Sequence, residues 1–504
     1  MIKKRQVLLN AMISMVQVLV ISGVLFFLYR FLLRTLGARH LGIWSVVLAV
    51  TLVTQISDFG LSGSVVKFVA KYVARGEEKN VSGVIQTSVL TVGAMVTLIL
   101  IVGYPLIRYV LRLIIPQESL PLAYAVLPYA FLAFWFMFIS GVFQSALDGF
   151  QRIDIRGILL MGSEVFHLLL CFVLAPAYGL MGLAYARILQ NFAILAASWT
   201  LLKRQLPSLP LIPYRWDKKL FKEMIGYGIN FQVMSITNML LEPTTKALLS
   251  RFGGLSTVAY FEMASKMVRQ LRAVIVAAIG VIVPMIADLQ EKAPEKIRSV
   301  YKTSYQLLFY LSLPLYSGIV VGIPVISKLW IGTYQMEFIS IGIILAAGWF
   351  LNMLNVPAYF SNAGLGELRW NVICHLTTAV LNIILGVMFG ILYQGMGVVV
   401  GWSVSLSLGS SIVYIAYHLR HKIPFKELFP RTSRMLASAC LVGLICFFII
   451  QKMFNKGFEN MGVNGICVLI FSLCVFIPVW FHPMRRRLGG WIQEDLLRGR
   501  QEAL

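Results

Sequence analysis

A chain of 504 residues in which 59% are hydrophobic and only 13% charged is too poor in charge to cover a water-soluble surface of that size. Its mean hydropathy of +0.80 calls for a lipid solvent. The net charge of +23 lies mostly in short segments between apolar runs, which argues against nucleic acid as a partner and assigns the basic side chains to topology and to anionic lipid headgroups.

An apolar run of about 20 residues crosses a bilayer. Many runs here approach 30, which predicts tilted helices that project past the hydrocarbon. The expected spans are 8–36, 41–73, 83–115, 121–149, 157–175, 180–202, 223–251, 256–289, 299–328, 335–363, 370–391, 395–418, 433–453 and 463–482. The basic start at Lys3, Lys4 and Arg5 leads into a long apolar stretch with no small-residue cleavage site, so it reads as a retained first span. Lys and Arg concentrate in the loops that share a side with the N-terminus, as at Lys67, Lys71, Arg75 and Lys79, or Lys292, Lys296, Arg298 and Lys302. This bias predicts a multi-pass protein of the cell (inner) membrane with both termini cytoplasmic.

The longest connection, 203–222, contains Pro207, Pro210 and Pro213 and a basic cluster. The expected organisation is an N-terminal lobe over 1–202, a cytoplasmic linker over 203–222, a C-terminal lobe over 223–418, an appended helix pair over 433–482 and a basic tail over 483–504. A faint repeat supports it. Arg34-Thr-Leu-Gly37 followed by Leu41-Gly-Ile-Trp has a counterpart in Arg251-Phe-Gly-Gly254 followed by Leu255-Ser-Thr-Val. Two six-helix lobes in parallel arrangement follow, related by an axis along the membrane normal.

Five spans carry a polar stripe at helical spacing. These are Thr51, Gln55, Asp58 and Ser62; Ser235, Asn238, Glu242 and Thr245; Glu262, Lys266, Arg269 and Arg272; Asn352, Asn355, Tyr359 and Asn362; and Asn371, His375, Thr378 and Asn382. Such stripes face a hydrated cavity or bond one another as interhelical glue. The charges of most consequence are Arg30, Asp58, Lys67, Glu164, Arg187, Glu242, Lys246, Glu262, Lys266, Arg269 and Arg272, seven basic and four acidic. Each costs about 3 kcal/mol or more near the bilayer centre, so they need a use or a partner. Glu242 with Lys246 and Glu262 with Lys266 stand at i,i+4 and can pair. Lys67, Lys246 and Arg272 lie near span ends, where snorkelling is the alternative. The cationic surplus favours an anionic passenger.

The remaining features point to no aqueous chemistry. Pro243 follows Glu242 directly and is a candidate hinge. Glu164 and His167 at i,i+3 resemble a ligand pair with no matching pair elsewhere, so a hydrogen bond is the preferred reading. The six cysteines, Cys171, Cys374, Cys440, Cys446, Cys467 and Cys474, lie in apolar runs and read as small core residues. No phosphate loop, nucleophile elbow or histidine-rich metal pattern occurs, so no enzyme, metal or cofactor is expected.

The stretch Arg34-Thr-Leu-Gly-Ala-Arg-His-Leu-Gly-Ile-Trp-Ser-Val-Val47, with Asp58-Phe-Gly-Leu-Ser-Gly-Ser-Val-Val-Lys-Phe-Val-Ala-Lys71, resembles the opening of polysaccharide-biosynthesis (Wzx-like) flippases for lipid-linked oligosaccharides, in the multidrug/oligosaccharidyl-lipid/polysaccharide (MOP) exporter superfamily. The segment from Arg251 to Ala264 is similar to its counterpart in the second lobe. The resemblance implies two six-helix lobes around a central cavity with two added helices. It also implies a polyprenyl-pyrophosphate-linked glycan of the O-antigen repeat type as passenger, flipped from the cytoplasmic to the outer leaflet by alternating access, with membrane lipids and polysaccharide-assembly proteins as partners. On that reading Arg30, Lys266 and Arg269, with Arg187 as a weaker candidate, meet phosphate or sugar oxygens. Asp58, Glu242 and Glu262 orient those cations or carry a coupled proton or sodium ion. Gln55, Asn238, Asn355, Tyr359, Asn371 and His375 line the passage. The lipid II flippase segment of the first helix does not match Ile21 to Arg30, which ranks that passenger lower. The alternatives are a drug or organic-cation antiporter of the same fold, which should show a more acidic cavity, and an integral-membrane glycosyltransferase or polymerase, which the short loops disfavour.

Overall fold

A computed structural model describes residues 4–52, 61–279, 282–424, 427–428, 430–454 and 457–487. The helices are α1 Lys4–Leu52, α2 Leu61–Ala74, α3 Glu78–Ile114, α4 Leu120–Gly149, α5 Ile153–Gln205, α6 Lys218–Phe252, α7 Gly254–Ile279, α8 Ile282–Lys292, α9 Ile297–Trp330, α10 Met336–Met353, α11 Val356–Gly364, α12 Arg369–Arg420, α13 Arg431–Met453 and α14 Met461–Phe481. No strand occurs among the described residues, and the protein is an all-α membrane protein as the apolar runs require. Nine stretches among the described residues are long and apolar enough to cross a bilayer.

α5 and α12 contain two expected spans each, and α1 holds the first expected span and the start of the second. α1 turns at Gly37 (φ 78°), α5 at Gly179 (φ 58°) and α12 at Tyr393–Gln394. At 53 and 52 residues, α5 and α12 far exceed the ~30 Å needed for one crossing. With these bends counted, and α2 taken with the second span, α7 with α8 and α10 with α11, the described helices fall in the fourteen expected intervals. α6 and α7 are absent from the nine apolar stretches, and α7 carries Glu262, Lys266, Arg269 and Arg272 within 26 residues.

The chain divides into two compact units, residues 1–259 and 260–504. In the first, α4 and α5 pack on each other, α1 packs along α5, and α6 lies against α1, α2 and α3. The repeat seen in the sequence has a structural use here. Gly37 and Gly254 (φ 83°) both hold left-handed backbone that L side chains rarely adopt. Just beyond the first turn, Gly42 backs onto the main chain of Leu255, which follows the second. A Cβ built on Gly42 would stand 1.9 Å from the Leu255 carbonyl oxygen.

Residues 203–222, expected as an inter-lobe linker, lie inside this first unit. They are strapped to α3. Gln86 Oε1 accepts from the backbone N–H groups of Tyr214 (3.2 Å) and Arg215 (3.1 Å), Thr87 Oγ1 accepts from Asp217 N (3.1 Å), and Trp216 Nε1 donates to Thr91 Oγ1 (3.1 Å). Asp217 then caps α6 by accepting from Lys219 N (2.9 Å) and Leu220 N (3.2 Å). Within the buried polar run of α3, Gln86, Thr87 and Thr91 thus hold a chain segment, a role that no motif of the sequence announces.

In the second unit, Tyr301 and Tyr305 of α9 are fully buried against Val413 and Tyr417 of α12, and Tyr301 Oη lies 2.6 Å from His418 Nε2. α13 and α14 pack on each other and on α9. Gln451 of α13 donates to Asn464 Oδ1 of α14 at 2.8 Å, a bond that aligns the pair in apolar surroundings. Outside the spans, Glu427 ties the α12–α13 connection to the start of α9 through Lys302 and through Arg298 at 3.0 Å. The Lys302 hydrogen bond, then Arg298, hold the Glu427 carboxyl below its ordinary 4.5. A depressed carboxylate stabilises the fold above the unfolded value and loses that contribution as pH falls through the folded one. The stability difference between wild type and Glu427→Gln is therefore expected to be present at neutral pH and to close only in acid below about 4.5, measured by thermal unfolding in detergent across a pH series.

Candidate functional site: the cations within the spans

The cations named from the sequence divide into two groups. The first is neutralised. Lys246 Nζ stands 2.7 Å from Glu242 Oε1 on α6, with its side chain 4% exposed, and Lys266 Nζ stands 3.3 Å from Glu262 Oε1 on α7. Lys246 therefore does not snorkel. Its ammonium is satisfied one helical turn away, and α6 runs unbroken through Pro243. Arg187 donates to Gln190 Oε1 (2.6 Å), Gln190 donates to Glu164 Oε1 (3.1 Å), and Arg187 lies 3.9 Å from the same carboxylate. This relay joins the two halves of α5 across the Gly179 bend. Glu164 is thereby occupied, while His167 contacts Cys171 Sγ at 3.6 Å, so the two are not oriented as a ligand pair.

Of the others, Arg30 and Arg272 stand apart from any carboxylate of the described residues. Arg30 is half-buried on α1 with no ion-pair partner among the described residues. Arg272 is likewise without a carboxylate partner, and its guanidinium carbon lies 5.1 Å from the centroid of the Trp349 ring. The expectation that Arg272 could snorkel gives way, because a cation over an aromatic face gains attraction without leaving the protein. Lys67 is exposed on α2, with its ammonium 5.9 Å from the Phe68 ring. Arg269 is half-buried on α7.

The polar stripes of α10–α11 and α12 are bonded largely to each other or to nearby main chain. Asn362 Nδ2 donates to Asn371 Oδ1 (3.1 Å), Asn371 Nδ2 to the Tyr359 carbonyl (3.0 Å), and Asn352 Nδ2 to Ser410 Oγ (2.7 Å). Tyr359 Oη and His375 Nε2 stand 3.2 Å apart. Asn355 is buried. The bonded groups join α10 and α11 to α12, the alternative that polar stripes always carry. Gln55 and Asp58 lie outside the described residues, as does the side chain of Asn238.

Spans of this length, helices that cross twice and buried cations describe a polytopic membrane protein. The pattern that defines polysaccharide biosynthesis proteins matches residues 7–290, more than half of the sequence. The chain belongs to the polysaccharide biosynthesis protein family. A candidate O-antigen transporter of Shigella flexneri is 24% identical over 404 residues, spanning 77% of this chain and 92% of that protein. Among solved structures, an inward-facing multidrug resistance MATE family transporter of the MOP superfamily superposes with a TM-score of 0.71 at 16% identity, over 79% of this chain and 94% of its own. The lipid II flippase MurJ in an inward closed conformation gives 0.70 at 15% identity, over 97% and 100%. At such identities the structural likeness shows the fold alone. Members of this family are multi-pass membrane transporters and not enzymes, and the expectation drawn from the Gly37–Gly42 and Asp58–Lys71 motifs agrees with the family found.

Proposed function

We propose that this chain flips a polyprenyl-pyrophosphate-linked oligosaccharide from the cytoplasmic to the outer leaflet of the cell membrane by alternating access. Family membership supports a passenger of polysaccharide assembly. The observation that carries the reading is the charge of Arg30, which meets no carboxylate of the described residues where Arg187, Lys246 and Lys266 each do. A pyrophosphate cannot enter hydrocarbon without compensating charge, and a cation retained within a span at ~3 kcal/mol supplies it. Lys266 is one-third exposed and its pairing is loose at 3.3 Å, so it can trade Glu262 for phosphate oxygens. Glu262 and Glu242 would then hold a coupled proton or sodium ion during the return step. Proteins that assemble and polymerise the glycan are the expected partners, and both termini would face the cytoplasm.

The test is reconstitution into liposomes with a fluorescent polyprenyl-pyrophosphate sugar. The variant combining Arg30→Ala, Lys266→Ala and Arg269→Ala is expected to flip at least ~100-fold more slowly, since each charge-assisted contact contributes about 1.5–3 kcal/mol. Unchanged flipping by this variant at normal expression removes the proposed site. Transport of organic cations without lipid-linked sugar would instead favour the antiporter reading.

A further inference from the structure

Arg272 stands in a setting that the cationic reading alone does not explain. Among the buried polar groups of the second unit that make no hydrogen bond are three donors that belong together: Arg272 Nε on α7, Tyr316 Oη on α9 and Trp349 Nε1 on α10. They are neighbours. Arg272 lies over Trp349, the Tyr316 and Tyr359 hydroxyls are within electrostatic reach of the guanidinium, and Tyr316 packs on Phe350, the residue after Trp349, with ring centroids 6.3 Å apart. Tyr359 Oη, bonded to His375, stands on the α11 side of the same guanidinium. No carboxylate of the described residues pairs with Arg272.

A buried N–H or O–H left unsatisfied costs about 1–3 kcal/mol, and native interiors hold few of them. Three around one cation, from three helices, form a constellation complete except for acceptors. A ligand that fits must bring oxygens in place of donors, must carry negative charge for the guanidinium, and must present aliphatic surface to the aromatic rings. A glycosyl unit bearing an oxyanion has all three. Its carboxylate or phosphate accepts from Arg272 and Trp349, a ring hydroxyl accepts from Tyr316, and its C–H face packs on the rings.

We propose that Arg272, Trp349 and Tyr316, flanked by the Tyr359–His375 couple, form a binding subsite for an acidic sugar residue of the transported glycan. The inference rests on the reading of the chain as a glycan-lipid transporter, and it narrows the passenger to an anionic glycan.

The experiment is equilibrium binding to the full-length protein in nanodiscs. The probes are a glucuronic-acid-containing disaccharide, its methyl ester, a neutral disaccharide of the same size, and farnesyl pyrophosphate as a sugar-free oxyanion. The acidic disaccharide is expected to bind at least ~10-fold more tightly than the ester or the neutral sugar, and Arg272→Met is expected to abolish that preference. Tyr316→Phe guards against misfolding as an explanation. It removes an unsatisfied buried hydroxyl, so the unliganded protein should unfold at the same temperature or higher while binding weakens severalfold. Equal binding of acid and ester, or an unchanged preference in Arg272→Met, overturns the subsite. Arg272-dependent binding of farnesyl pyrophosphate alone overturns its assignment to sugar. Wild-type protein that flips a fluorescent lipid-linked glycan yet binds no acidic disaccharide discards the subsite and keeps the transporter. Protein that binds the acidic sugar but flips no lipid-linked glycan keeps the subsite and discards the transporter.

Discussion

Replacing Gly42 with valine is expected to destabilise the first unit by about 3 kcal/mol or more, toward the upper end of overpacking effects. A Cβ on Gly42 would meet the Leu255 carbonyl oxygen at 1.9 Å and its carbonyl carbon at 2.6 Å. The obstacle is main chain, so no rotamer change relieves it, and α1 must draw away from the start of α7. Leu255 has little room to yield, because Gly254 before it already holds φ 83°. Gly63 on α2 provides the control. A Cβ there meets nothing within 4 Å, and alanine in a helix is favoured over glycine by roughly 0.5–1 kcal/mol. Thermal unfolding in detergent should therefore show Gly42→Val, and less severely Gly42→Ala, unfolding well below wild type while Gly63→Ala holds or rises. Equal losses at both glycines would refute the backbone contact.

The second large effect concerns the Glu242–Lys246 pair. Lys246 is 4% exposed, so Glu242→Leu leaves a buried ammonium without its carboxylate, at a cost of about 3 kcal/mol. The figure sits at the lower end for buried pairs because Glu242 keeps 28% of its surface open to solvent. The double variant Glu242→Leu with Lys246→Met removes both charges and is expected to recover most of the loss, since a well-packed apolar pair can replace a buried salt bridge. Unfolding temperatures of the two singles and the double measure the coupling directly. The double variant also separates structure from transport. If it folds and flips substrate at the wild-type rate, Glu242 is no carrier of a coupled ion. If it folds and flipping stops, the pair belongs to the transport cycle.

Much of the functional reading lay in the linear pattern. Charges in apolar spans announce themselves, because hydrocarbon tolerates them only for a purpose. The i,i+4 spacing of Glu242 with Lys246 and of Glu262 with Lys266 named two ion pairs that helical geometry then closes. The glycines at Gly37 and Gly254 marked bends, because few other residues adopt that backbone. The roles of the polar groups were less legible. Asn371, Tyr359 and His375 look the same in sequence whether they line a passage or bind neighbouring helices, and the structure shows them largely engaged with one another. Gln86, Thr87 and Thr91 passed unnoticed because their partners are main-chain N–H groups and an indole more than a hundred residues away, which no local spacing encodes.

By itself the sequence determined the solvent, the number of crossings, the bends and the family, since each follows from hydrophobicity and backbone freedom along a short stretch of chain. Tertiary structure alone decided which positive charges remain uncompensated. That outcome depends on which carboxylate, ring or donor the fold brings within a few ångströms. It ties Arg187 to Glu164 across a bend and seats Arg272 over Trp349, contacts that helical periodicity cannot foretell because they form between separate helical stretches.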